Sequence, residues 1–298
     1  MPLPVSVNVD GDQLIRPDFI DKLRACLARH PQLDPRDLEL EVLETSALDD
    51  IDRVGEVIAA CDELGVGFAL DDFGTGYSTL THLKRLPAPL LKIDRTFVQD
   101  MLDDPEDMAI LDGVQGLADA FRRRTIAEGV ETVAHGRMLL ALGCQLGQGY
   151  GIAHPMPPED LPDWLTRWQP DPAWRARERV ANDDLPALFA IAEHRAWCRR
   201  LEAAMSDGST LPTLDPAACR FGEWLSDQRR EGRHHMRSLA AIERIHERLH
   251  TEAARLAGGG SSVQRDFEPL RVISESLVTA TEALIDPTRS RGRRVAPR

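Results

Sequence analysis

Six short β-rich runs recur through the first 150 residues, and their alternation with helical patterns limits the fold more than any other feature of the chain. The runs are VSVNV (5–9), LELEVL (38–43), GFALDD (67–72), LLKID (90–94), TIAEG (125–129) and CQLGQGY (144–150). Residues 17–29, 51–63, 106–121 and 132–142 carry apolar side chains at helical spacing, with Gly or Pro near several boundaries. Strand–helix alternation builds a parallel sheet, because returning to lay a parallel strand takes a crossover. A closed (β/α)8 barrel needs eight such units in roughly 250 residues, whereas this stretch has six in about 165. The expected fold is therefore α/β, a partial (β/α)8 TIM-type barrel.

The pattern then changes. Pro-rich HPMPPEDLPDW (154–164) and QPDPAW (169–174) form a junction, after which residues 183–206, 216–228, 235–257 and 263–285 all have helical spacing. Gly208, Gly232 and the GGGSS loop (258–262) punctuate them, which predicts an all-α four-helix bundle. The expected domains are a partial barrel at 1–168, a linker at 169–182, a bundle at 183–286 and a basic, solvated tail at 287–298.

Charge divides the same way. Residues 1–168 hold 15 Lys/Arg against 30 Asp/Glu, and the remainder 21 against 19. So acidic a first part repels nucleic acid, and no nucleic-acid partner is expected; a phosphate ester would need cations to approach it. No run of about 18 apolar residues occurs, and MPLPVSVNVD lacks the features of a signal peptide, so the expectation is a cytoplasmic chain without a membrane span. The five scattered cysteines fit reduced thiols rather than a disulfide framework.

Polar residues fall repeatedly at strand ends: Asn8, Glu41, Asp71 with Asp72, Lys92, Glu128 and Gln148. In a parallel barrel these ends converge on one face, where oxygen donors suit hard cations such as Mg²⁺ or Mn²⁺. Adjacent Asp71 and Asp72 suggest two ions, one carboxylate bridging while its neighbour holds the second, an arrangement suited to phosphodiester cleavage. Taken singly, each has a plainer reading, as a helix N-cap or a solvated lysine.

DDFGTGYSTL (71–80), LKIDRTFV (91–98), AEGVET (127–132) and QGYGIAHPMP (148–157) resemble, in order and spacing, the signatures of EAL-type cyclic di-GMP phosphodiesterases. VSVNVDGDQL (5–14) is similar to the family's Asn-bearing strand and LELEVLETSAL (38–48) to its segment with two glutamates three apart. The resemblance implies that Asn8, Glu41 and Asp71 bind one metal and Asp72 a second. It makes Lys92 the residue that orients or acidifies the attacking water. Glu128 becomes a general base or second-metal ligand, and Gln148 lines the water site. Glu44 would fix the mobile FGTGYS loop (73–78), while Glu131 is open to either a site role or helix capping. Leu43 replaces the family's Thr and Asp10 its Ser. The E-x-L-x-R segment, with a further metal-ligand Glu, would lie upstream of Met1, so the chain as written is expected to turn over little substrate. Glu282-Ala283-Leu284 lacks the following Arg and is read as coincidence.

In the helical part His246 and His250, at i and i+4, share one helix face. Cys219 in CRFGEWL and His194 in EHRAWCRRLE would complete a tetrahedral Cys/His set for Zn²⁺. The order resembles the chemoreceptor zinc-binding domain family: an early His, C-x-x-G-x-W, then H-x-x-x-H. Cys198, four residues after His194, and the pair His234-His235 are rival ligands, read more simply as a core thiol and a solvated turn. Trp197 and Trp224 are expected in the bundle core.

The resemblances together imply a hydrolase that opens cyclic di-GMP to pGpG under zinc or redox control, with a homodimer through barrel or bundle possible. The alternative is a cyclic di-GMP receptor without turnover.

Overall fold

The computed structural model describes residues 3–75, 80–175, 179–232, 236–258 and 266–285, with only the backbone at 48–49, 81–82 and 236. The tip of the FGTGYS loop, the His234-His235 pair, most of GGGSS and the basic tail lie outside the described residues. The chain divides into two compact units. One is Met1–Gln99 with Ile110–Ala176, and the other is Arg177–Arg298 with Asp100–Ala109.

The first unit is built on one parallel sheet whose strands lie side by side in chain order. They are β1 (Val5–Asn8), β2 (Leu38–Leu43), β3 (Gly67–Phe73), β4 (Leu90–Ile93), β5 (Arg124–Ala127) and β6 (Leu146–Gly147). Between them run α1 (Gly11–Leu14) and α2 (Phe19–Arg29), then α3 (Glu44–Asp49) and α4 (Ile51–Glu63), and α5 (Leu80–Arg85). There follow α6 (Arg95–Asp100) and α7 (Pro105–Ala120), then α8 (Val133–Leu142). After β6 come α9 (Leu161–Arg167) and α10 (Pro172–Arg175). This is a half-barrel of six strands, each expected run supplying one.

The central strands read as apolar because both their faces are covered. Val42, Phe68, Leu70, Leu91 and Ile93 are almost inaccessible, and α4 contributes Val54, Val57, Ile58 and Cys61. At the edges the pattern reverses: β1 is exposed along its length, with Val5 58% exposed, and Leu146 on β6 is 42% exposed. In-register pairing sets Asn8 beside Glu41 and Leu43 beside Asp71, so the carboxyl ends of β1–β3 line up as the site requires.

The second unit contains α11 (Leu185–Asp207), α12 (Arg220–Glu231), α13 (Met236–Gly258) and α14 (Glu268–Glu282). α11 packs on α12 and α14, and α13 packs on the same two, which closes a four-helix bundle. Trp197, Leu201, Leu249, Ala253, Leu256, Leu270 and Ile273 form its core. Trp224 is also buried, as expected. The Glu-Ala-Leu triplet sits at the end of α14, in the helical unit and remote in sequence from the strand ends.

Candidate active site and metal centre

Neighbouring residues on a strand point to opposite faces, so two consecutive carboxylates cannot ordinarily serve one site. Here the ladder between β3 and β4 shifts between Leu70 and Phe73, and Asp72 takes a left-handed backbone at φ 53°. That irregularity turns both side chains the same way. Oxygens of Asp71, Asp72 and Glu128 lie within 4.8 Å of one another, a donor set of hard oxygens that fits a divalent cation.

Lys92, 4% exposed on β4, ties this group to its neighbours. Its Nζ lies 2.6 Å from Glu128 Oε1, 2.7 Å from Glu41 Oε2 and 3.0 Å from Asp71 Oδ1. Burial alone would favour the neutral amine, but hydrogen bonds to Glu128, Glu41 and Asp71 outweigh it and raise the Lys92 pKa. Glu128 is shifted upward, chiefly by burial and against the pull of Lys92. A carboxylate so placed is a better proton acceptor than an exposed one.

Gln148 donates from Nε2 to Glu128 Oε1 at 3.3 Å. Its backbone N–H bonds Ala127 O, and its carbonyl accepts from Val130 N, so the end of β6 is stitched to the Glu128 loop. Gly149 permits that closeness, since a Cβ there would stand 2.4 Å from Val130 N. Glu44, 1% exposed at the start of α3, accepts the Gly74 N–H at 2.9 Å and so holds the loop that follows Asp72. Glu131 is held by Gln99 Nε2 at 2.8 Å, and the N-cap of α8 is Thr132 rather than Glu131. Asn8 is exposed at the end of β1, aligned with Glu41 by strand register.

Asp94 belongs to this group although the sequence reading passed over it. Asp72 shares a hydrogen bond with Asp94, and its pKa is pushed up to about 6 by burial, by that bond and by the charge of Asp71. Asp94 is shifted down: burial opposes this, but hydrogen bonds from Thr96 and Asp72 prevail. The signal was present, because residues two apart on a strand share a face and Asp94 follows Lys92 by two.

In the helical unit Cys219, His246 and His250 place their ligand atoms within 4.8 Å of one another, all buried. Cys219 Sγ is 3.2 Å from His246 Nε2, and it accepts the Gly222 N–H at the first turn of α12. His250 Nδ1 lies 2.9 Å from Leu214 O, to which it can only donate, so its Nε2 is left with the lone pair. Gly222 is required by close approach, as a Cβ there would fall 1.9 Å from Pro216 O. Burial lowers the His246 pKa to about 4 and pushes the Cys219 thiol up, the latter opposed by backbone N–H groups at α12. Thiolate and imidazole donors in this spacing fit Zn²⁺. His194 is 2% exposed and is not one of this mutually close set, its Nε2 lying 3.0 Å from Ser274 Oγ. Cys198 is half-buried beside it, its thiol pushed up to about 12 by burial, as for an inert core thiol.

Comparison with known proteins places both sites in context. Residues 1–155 match the model of the EAL domain, and residues 194–257 that of the chemoreceptor zinc-binding domain. A cyclic di-GMP phosphodiesterase of Pseudomonas aeruginosa is 41% identical over 167 residues, covering 56% of this chain and 28% of the relative. The bifunctional diguanylate cyclase/cyclic di-GMP phosphodiesterase MucR of the same organism is 41% identical over 157 residues, covering 53% of this chain and 23% of MucR. The chain thus spans about a quarter of the length of these curated relatives. The MucR phosphodiesterase solved in complex with c-di-GMP aligns with a TM-score of 0.51 at 41% identity, covering 53% of this chain and 64% of that one. The EAL domain of Mycobacterium smegmatis DcpA aligns with a TM-score of 0.53 at 33% identity, covering 56% and 75%. No helix among the described residues is long and apolar enough to cross a membrane.

Proposed function

This chain belongs to the EAL domain family, and from that premise we propose that its first unit carries the site for metal-dependent hydrolysis of cyclic di-GMP to pGpG, under control of zinc bound in the helical unit. The observation that carries the reading is Lys92 held among Glu41, Asp71 and Glu128, with Asp72 alongside.

Asp71, Asp72 and Glu41, with Asn8 beside Glu41 in register, would hold the divalent cations. When bound, the ions supply neutralisation of the phosphate charge and acidification of water. Lys92 fixes three carboxylates at once, so the donors stay in place without an ion to organise them. Glu128, with its raised pKa, accepts the proton that water loses on attacking phosphorus, and Gln148 fixes the Glu128 oxygen it touches. The water oxygen bonds to phosphorus as one P–O3′ bond breaks, the leaving oxygen takes up a proton from solvent, and the ring opens to a linear dinucleotide with a 5′-phosphate. Glu44 holds the backbone after Asp72 and so governs how that carboxylate is presented.

The test is chromatography of cyclic di-GMP incubated with protein and Mn²⁺ or Mg²⁺. A form extended upstream by an E-x-L-x-R segment is expected to yield pGpG. Glu128→Gln in the extended form should abolish product, while Glu282→Ala should not. A cation-independent product, or full activity in Glu128→Gln, contradicts the reading. For control by zinc, metal analysis should find one Zn²⁺ per chain, lost in a Cys219→Ser, His250→Ala double variant. Turnover that is unchanged between zinc-loaded and chelated protein would reject the sensor role.

A further inference from the structure

His194 is tied to the fourth helix rather than to the other expected ligands. From α11 its Nε2 reaches Ser274 Oγ on α14 at 3.0 Å, and Cys198 Sγ lies 3.7 Å from the same nitrogen. Cys198 Sγ also donates to Ser274 Oγ, at 3.8 Å. Neither nitrogen of His194 comes within 4.8 Å of all of the Cys219, His246 and His250 ligand atoms. A tetrahedral Zn²⁺ with ligands at about 2.0–2.3 Å sets its donors only about 3.3–3.8 Å apart. One nitrogen cannot face both Ser274 and a metal, so a zinc held by all four residues through His194 Nε2 requires the ring to leave Ser274.

We propose that His194 has two seats, one on Ser274 and Cys198 and the other on the metal, and that Ser274 sets zinc affinity by competing for the ring. The inference rests on the zinc reading of the Cys219, His246 and His250 cluster.

Phe221 meets the His194 ring edge-on at 5.6 Å and packs against His246 at 5.0 Å, so a ring that swings along Phe221 approaches the cluster. At 2% exposure His194 is largely withdrawn from bulk water, so a polar partner at either seat stabilises it. The exchange also rewires the bundle. On Ser274, His194 joins α11 to α14; on the metal, it joins α11 to Cys219 at the start of α12 and to the histidines of α13. Zinc arrival thus releases α14 from a buried polar tie, a structural change through which occupancy can be read. Ser274 lies outside residues 194–257, the stretch that matches the zinc-binding family.

The experiment is zinc titration of the whole chain against a chromophoric chelator, using wild type, Ser274→Ala, His194→Ala and the double variant. Ser274→Ala leaves His194 without its rival partner and should tighten zinc about fivefold, the order expected for one neutral hydrogen bond. In the His194→Ala background the same substitution should change nothing, and Ser274→Thr, which keeps the hydroxyl, should behave as wild type. Circular dichroism checks that each variant is folded, with Ser274→Gly, which also lacks the hydroxyl, taking the place of Ser274→Ala should that variant unfold. Weaker zinc binding in Ser274→Ala would mean that Ser274 supports the liganded ring, and an unchanged affinity that it does neither; each overturns the proposal. Wild type that takes up no zinc removes the zinc reading and this inference together, whereas zinc uptake indifferent to Ser274 removes the inference alone.

Discussion

Lys92 Nζ lies 2.6 Å from Glu128 Oε1 while also touching Glu41 and Asp71, so one buried ammonium on β4 binds carboxylates contributed by β2, β3 and the end of β5. Replacing it with Met keeps the length of the side chain and leaves these acids without their common partner. Unfolding free energy of the first unit should fall by about 3–5 kcal/mol, the range for breaking a buried ion pair. Urea unfolding with and without Mn²⁺ checks this: the cation should recover part of the loss, and an undiminished midpoint would show that Lys92 is not the organiser.

Glu44→Ala removes the acceptor of the Gly74 N–H. The loop after Asp72 then loses a charge-assisted bond, about 1.5–3 kcal/mol. Turnover in the extended form should drop by tenfold or more with cyclic di-GMP affinity less affected, because Asp72 is misplaced rather than removed. Equal losses in both would point to collapse of the site.

Gly222→Ala puts a methyl group where Pro216 O already stands. The first turn of α12 must shift, carrying the Cys219 thiol with it, at a cost of about 1–3 kcal/mol. Zinc stoichiometry should fall well below one per chain. Full zinc occupancy would show that the turn yields without disturbing Cys219.

The histidines of the bundle give its stability a pH dependence. Burial lowers His194 to about 3 and His246 to about 4, and His250 is lowered as well, from an ordinary value of 6.5. Because the folded state holds them neutral, their contribution is present above about pH 6.5 and is lost as pH falls from there through the folded-state values. Hydrogen exchange in α11–α14 of chelator-treated protein, corrected for intrinsic rates, should show weaker protection at pH 5 than at pH 7.5. Equal protection would mean that these rings protonate freely in the fold.

What could be read from residues alone followed from periodicity. The β-rich runs that form β1–β5 and the long helices α2, α4, α7, α8 and α11–α14 are long or apolar enough to declare themselves, whereas β6 has two residues and α1, α3, α5, α6, α9 and α10 at most seven each. The strand-end rule found Glu41, Asp71, Lys92, Glu128 and Gln148 but not the bulge that lets Asp72 join Asp71, since a shift in pairing leaves no mark in composition. Asp94 was legible from its two-residue spacing to Lys92. In the bundle, i and i+4 spacing put His246 and His250 on one helix face, and their ring nitrogens do lie close together with Cys219 Sγ. Nothing local could show that His194 bonds Ser274, eighty positions away in the chain.

The central claim is that the strand-end carboxylates around Lys92 form a cation site that engages cyclic di-GMP. Calorimetric titration of cyclic di-GMP into the protein with Ca²⁺, with chelator, and with Ca²⁺ in Asp71→Asn tests it most directly. The account predicts saturable binding that requires the cation and is lost in Asp71→Asn. Absence of binding, or binding that neither chelation nor the substitution alters, would contradict it.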